Sequence, residues 1–158
     1  MSDDAQGLLY VAAESGPAYW GPGDRYTFLV TGAQSGGSYF ILEAFVPPGG
    51  GPPPHYHERE EECFYLLEGS VTLTIGGQAV QADPGDFVHI PRRTVHSFCN
   101  NGATVARMLA IFSPAGMEGW FLAAYEPAPD RTTPPPPPSP AMLARMIAAA
   151  AEHGVRFV

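Results

Sequence analysis

The sequence contains no lysine, and its eight arginines face sixteen acidic residues, for a formal charge of −8. Nucleic-acid binding depends on clustered basic side chains that neutralise phosphates, so no nucleic-acid partner is expected. No basic stretch is dense enough to suggest an anionic membrane surface. Nowhere are there about 18 consecutive apolar residues, which argues against a spanning helix. Met1–Gln6 is polar and has no basic start leading into an apolar run, so no secretory signal is read there and a cytoplasmic location is expected. Cysteine is scarce too. Cys63 and Cys99 both fall in strand-like runs, and two buried free thiols fit a cytosolic protein better than a disulfide framework.

Glycine and proline, by contrast, are plentiful at 18 each. They punctuate short runs rich in β-branched and aromatic residues, and such runs read as strands: Leu8–Ala12, Tyr26–Thr31, Ser38–Val46, Cys63–Leu67, Val71–Ile75, Phe87–Ile90, Val95–Cys99 and Ala106–Phe112. Gly76–Gly77 suits a two-residue hairpin turn and Asp83-Pro84-Gly85-Asp86 another turn. Many short strands at fairly regular spacing predict an all-β sandwich or barrel. A chain of 158 residues can bury roughly 70% of its unfolded surface, enough for a core without disulfides. One domain is expected. Its N-terminal strands and dimer contact are placed in 1–46, its core in 47–112, and a C-terminal extension in 113–158.

That extension opens with a polyproline run, Pro134–Pro138, read as a stiff spacer rather than a ligand for a proline-binding domain. Ser139-Pro140 then has the chemistry of an N-cap and first helical position. Met142, Leu143, Met146, Ile147 and Ala150 form an apolar stripe at helical spacing, and Gly154 can end the helix. Val155–Val158 has room for one more short strand.

The chemistry is concentrated between Gly49 and Asn100, which holds four of the five histidines. In a strand, residues i and i+2 share a face, so His55 and His57 can point into a barrel together. Glu62 lies across the next turn, and His96 sits on a later strand. Imidazoles with one carboxylate suit Fe, Mn, Co, Ni or Zn. Alternation turns Glu62, Phe64 and Leu66 inward and Glu61, Cys63 and Tyr65 outward. His89 is read as a packed or surface residue, the alternative being a fifth ligand or an acid/base. Phe40, Phe64, Phe98, Met108 and Phe112 are the candidate apolar pocket, with ordinary barrel core as the competing reading.

Gly49, five residues, His55-x-His57, four residues, Glu62, six residues, Gly69: this spacing resembles the first motif of the cupins. Gly85, five residues, Pro91, then His96, three residues, Asn100 resembles the second. The chain departs once, with Arg93 where that family usually has glycine. The resemblance implies a double-stranded β-helix (jelly-roll) barrel with a short C-terminal helix. It implies one divalent transition-metal ion inside, held by His55, His57, Glu62 and His96. Among one-barrel cupins this ligand set resembles the quercetinase-like dioxygenases. That resemblance gives Glu62 a second role as proton acceptor from a small enolisable or aromatic, flavonol-like substrate. A non-redox metal-dependent isomerase or lyase, and a non-catalytic small-molecule-binding protein, are the rival readings. A homodimer is expected, with residues from Leu8 to Thr31 contributing.

Overall fold

Alternating burial along the central strands shows how the chain builds its core. In a computed structural model that describes residues 7–158, twelve strands form. They are β1 (Ala18–Trp20), β2 (Arg25–Val30), β3 (Phe40–Val46), β4 (His55–His57), β5 (Glu61–Glu68), β6 (Val71–Ile75), β7 (Gln78–Ala82), β8 (Phe87–Ile90), β9 (His96–Cys99), β10 (Ala106–Ser113), β11 (Glu126–Pro127) and β12 (Val155–Phe157). Helix α1 spans Glu118–Ala124 and α2 spans Pro140–Ala150, followed by a 3-10 turn, Ala151–His153. The segment Met1–Gln6, read above for a signal, lies outside the described residues. No described helix is long and apolar enough to cross a membrane.

Every pairing is antiparallel. One sheet runs β11-β1-β2-β3-β10-β5-β8 and the other β12-β4-β9-β6-β7. On β3, Phe40, Leu42, Ala44 and Val46 are buried, and on β10 Ala106, Met108, Ala110 and Phe112. Their intervening neighbours point outward, as a half-solvated sheet requires. These residues and those of β5, β6 and β9 interlock between the sheets. The fold is the predicted all-β jelly roll of the cupin type, with a short C-terminal helix. Gly76 and Gly77, at φ 55° and 85°, close the β6–β7 hairpin with Ile75 opposite Gln78, the two-residue turn that needs positive φ at both positions.

Several local readings change. Leu8–Ala12 forms no strand: no described residue pairs with it, and Leu8 is 93% exposed. Strand β7 was not expected, because Gln-Ala-Val-Gln-Ala has little β-branched or aromatic content. It forms at a sheet edge because the glycine turn returns it onto β6. Helix α1 was also missed. At seven residues it is too short to be stable alone, and no side chain caps it. It forms by burying Trp120, Phe121 and Ala124 against the barrel and α2. Gly119 admits this packing, since a Cβ there would lie 2.7 Å from the His153 ring.

Helix α2 starts as expected, with Ser139 Oγ accepting from the Met142 amide. Only part of its stripe is buried, however. Met142, Met146 and Ala150 face the core, whereas Leu143 and Ile147 are 37% and 59% exposed. Gly154 follows in the left-handed conformation, and β12 forms beyond it. The extension therefore adds a strand to each sheet, β11 to one and β12 to the other.

Candidate metal centre

The HxH pair lies on β4, which is short and gains most of its order from neighbours. β12 pairs with all three of its residues, and His55 sits opposite His96 of β9. Glu62 enters from β5 in the facing sheet. Four potential ligand atoms, one each from His55, His57, Glu62 and His96, lie within 4.8 Å of one another, and all four residues are buried. His55 and His96 are oriented by backbone. Each Nδ1 donates to a carbonyl two residues earlier, Pro53 at 2.9 Å and Thr94 at 2.8 Å. Those carbonyls can only accept, so both Nδ1 atoms carry protons and the Nε2 atoms face the cluster.

The electrostatics match a site built for a cation. Burial by itself raises the Glu62 carboxyl, but the hydrogen bond from His96 and the close approach of the His57 imidazole outweigh it and hold the group well below the usual carboxylate range. His96 Nε2 donates to Glu62 Oε2 at 2.8 Å. Burial opposes charging His96, yet this carboxylate raises the imidazole above its ordinary value. Burial, then the neighbouring His96 and His57, depress His55 to about 3. His57 Nε2 lies 3.1 Å from Glu62 Oε2 but poorly aligned, so both its buried ring nitrogens lack a hydrogen-bond partner. Buried nitrogens are rarely left without partners. An unpartnered imidazole beside two backbone-anchored ones and a carboxylate fits one divalent transition-metal ion.

Both cupin motifs have structural reasons. Gly69 has φ 67°, and a Cβ there would lie 2.6 Å from the Val105 carbonyl. Asn100 is buried and donates to the Val46 and Thr104 carbonyls, tying the end of β9 to the end of β3 and to the loop before β10. Arg93 adopts φ 62°, which explains why glycine is usual at that position, and its side chain is exposed. Its amide donates to the His57 carbonyl at 2.8 Å, so the turn still braces a candidate ligand. Glu61 points outward and meets His89 at 3.2 Å; both side chains are about half exposed. His89 is thus a surface residue. Glu60 shares the inward face with Glu62, is buried, and has one oxygen without a partner; burial raises its carboxyl.

Beside the cluster is a cavity of about 40 Å³. Phe64, Phe98, Met108 and Phe112 line it, as does Glu62. Phe40 does not. It is fully buried one layer behind, its ring stacked 5.7 Å from that of Phe112. The rest of the aromatic wall comes from residues that the strand pattern does not place there: Tyr26, the α1 residues Trp120 and Phe121, Tyr125 just after them, and Phe157 of β12. The one available signal was the aromatic density of Trp120-Phe121 and Tyr125. Cys63 and Cys99 are free and half-buried rather than fully buried. Trp20 lies on β1, away from the cavity lining.

A jelly-roll barrel with a buried His3Glu cluster between its sheets is the architecture of a cupin. Residues 42–112 match the Cupin domain family, and the chain carries a cupin domain that resembles the quercetinase-like cupins. It is 33% identical over 117 residues to a quercetin 2,3-dioxygenase of Bacillus subtilis (strain 168), an alignment covering 68% of this chain and 34% of that protein. The chain thus spans about a third of that relative's length. Among solved structures, the polyketide cyclase RemF from Streptomyces resistomycificus superposes with a TM-score of 0.58 at 25% identity, covering 78% of this chain and 84% of that one. KdgF from Halomonas sp. superposes at 0.60 with 20% identity, covering 68% and 94%.

Proposed function

We propose that the chain is a metal-dependent dioxygenase acting on a small enolisable or aromatic substrate, with His55, His57, Glu62 and His96 as metal ligands. One observation carries this reading: Glu62 is the single carboxylate lining a mostly apolar, aromatic cavity, and it stands among three imidazoles. A bound transition-metal ion supplies Lewis-acid character and, for a redox-active metal, chemistry with O₂. The chain's own residues do the rest. The Pro53 and Thr94 carbonyls fix the tautomers of His55 and His96. Glu62, ionised at neutral pH, accepts the hydroxyl proton of the substrate, which leaves an electron-rich anion. Phe64, Phe98, Phe112 and Phe121 keep water away from that anion.

The cavity limits the substrate. Pockets for drug-sized ligands measure roughly 300–1,000 Å³, against about 40 Å³ here. A flavonol therefore enters only if part of the aromatic wall moves, whereas a smaller enolisable compound needs less displacement. A non-redox reading, an isomerase, lyase or cyclase using the metal as Lewis acid, draws support from the likeness to the polyketide cyclase, which spans most of both chains. Oxygen uptake separates the two. Protein reconstituted with Fe(II), Mn(II), Co(II) or Ni(II) is expected to consume O₂ with at least one member of a panel of flavonols, catechols and diketones. No uptake with any pair sinks the dioxygenase reading, and turnover under argon favours the other.

A further inference from the structure

The residues around the cavity differ in one respect that bears on access. All of them are buried except two, Pro52 and Phe157, which are half-buried and so reach both the cavity and solvent. The deep walls are closed: Phe64 and Phe112 are each 2% exposed, and Phe121 is 5%. Of the candidate ligands, His55 is the most exposed, at 8%. It is also the ligand that Phe157 covers. The two residues are direct partners in the antiparallel β12–β4 pair, so their side chains stand on one face, with ring centroids 5.8 Å apart. On its other side Phe157 meets the Trp120 ring at 6.3 Å.

The strand that delivers this ring is anchored more firmly at its start than at its end: Val155 is buried, Phe157 is half-buried and Val158 is exposed. β12 is an edge strand of three residues. Besides the ladder itself, Glu58 donates its amide to the Gly154 carbonyl at 2.8 Å, Val158 donates to Pro54 at 3.1 Å, Arg156 pairs with the Glu58 carboxylate at 3.2 Å on the outer face, and Val155 is buried in the core. Short edge elements open at lower free energy than central strands. The β3–β10–β5 interior behind the cavity offers no comparable opening.

We propose that Pro52 and Phe157 frame the entrance to the metal site, and that Phe157 sets the size of the ligand admitted. Phe157 is a specificity-determining residue that touches no ligand oxygen: its ring closes the path to His55, and displacing it enlarges the space beside the cluster. The assignment concerns access and needs no particular reaction; only its consequence for substrates rests on the proposed function.

The test has two arms on the full chain. In the first, the metal-free protein is treated with diethyl pyrocarbonate, and modification of each histidine is followed by peptide mass mapping. Phe157→Ala is expected to speed modification of His55 by about tenfold or more, since reactivity follows the population of accessible states. Half-exposed His89, remote from the entrance, should be unchanged. Phe157→Trp should protect His55 as well as the native residue does, and Phe157→Leu should fall between. An unchanged His55 rate in Phe157→Ala overturns the proposal. So does an equal acceleration at His57 and His96, which would mean the barrel had loosened.

In the second arm, visible absorption of Co(II)-loaded protein reports binding of catechol and of quercetin. Phe157→Ala should bind quercetin about tenfold tighter, a change of about 1.4 kcal/mol, and catechol nearly as the native chain does. Equal gains for both ligands, or none, refute the size limit. Failure of every variant to take up Co(II) would instead sink the metal-ligand assignment, while the first arm still decides the question of access.

Discussion

Asp24 is a buried carboxyl whose ionisation works against folding, and replacing it tests the electrostatics of the region behind the cavity. It is 1% exposed in the turn before β2. One oxygen accepts from the Tyr26 hydroxyl at 3.0 Å, and the other has no partner. Burial pushes the carboxyl from an ordinary 3.8 up to about 7, against the opposing pull of the Tyr26 bond. Between those two values the native state keeps a proton that the unfolded chain has released. The unfolded state therefore binds fewer protons, and stability falls as pH rises from about 4 to 7, then levels. The difference, 7 − 3.8 or about 3, multiplied by 1.36 kcal/mol for each pKa step, gives on the order of 4 kcal/mol.

Asp24→Asn removes this loss but leaves an amide NH₂ with no evident acceptor, at a cost of about 1–3 kcal/mol. The variant should therefore be the more stable protein at pH 8, by on the order of 1–3 kcal/mol, and no more stable than the native chain at pH 4. Urea unfolding followed by circular dichroism, in chelator at each pH, measures this. The variant-minus-native difference cancels titrations common to both proteins. A difference that is flat across pH 4–8, or one that shrinks as pH rises, refutes the reasoning.

Glu62→Gln should weaken Co(II) or Zn(II) binding by about tenfold or more in calorimetry, because it removes the one buried charge facing the ion. Glu61→Gln, on the outer face beside His89, should change it little, and the reverse ranking would refute the assigned register. Arg93→Gly should stabilise the chain by about 0.5–1 kcal/mol in urea unfolding, since it relieves a left-handed side-chain-bearing residue; a loss of stability would mean the Arg93 side chain makes a contact that matters more. A homodimer is expected on light scattering at micromolar concentration, with the exposed Leu8 and Tyr10 contributing, and Leu8→Asp with Tyr10→Asp should dissociate it. A species of 16.8 kDa from the native chain would exclude it.

Periodicity and motif spacing were enough for whatever depends on neighbours along the chain. Alternation in β5 placed Glu62 inward and Glu61 outward, and the HxH spacing put both imidazoles on one face of β4. The Gly76–Gly77 turn, the Ser139 cap and the Gly154 stop follow from local backbone chemistry, which the sequence states directly. Contacts between distant segments required the folded chain. Strand β7 has weak propensity and exists because a turn lays it against β6; α1 is too short to form alone and exists because Trp120 and Phe121 are buried by the barrel and α2. Leu8–Ala12 has the composition of a strand but finds no partner strand among the described residues. For the same reason, cavity membership was illegible. Phe40 and Phe112 alternate inward on neighbouring strands, yet only Phe112 reaches the cavity. Phe157 lies 102 positions after His55 and covers it because antiparallel pairing of β12 with β4 brings them together. Sequence distance carries no trace of that register; the hydrogen-bonded ladder decides it.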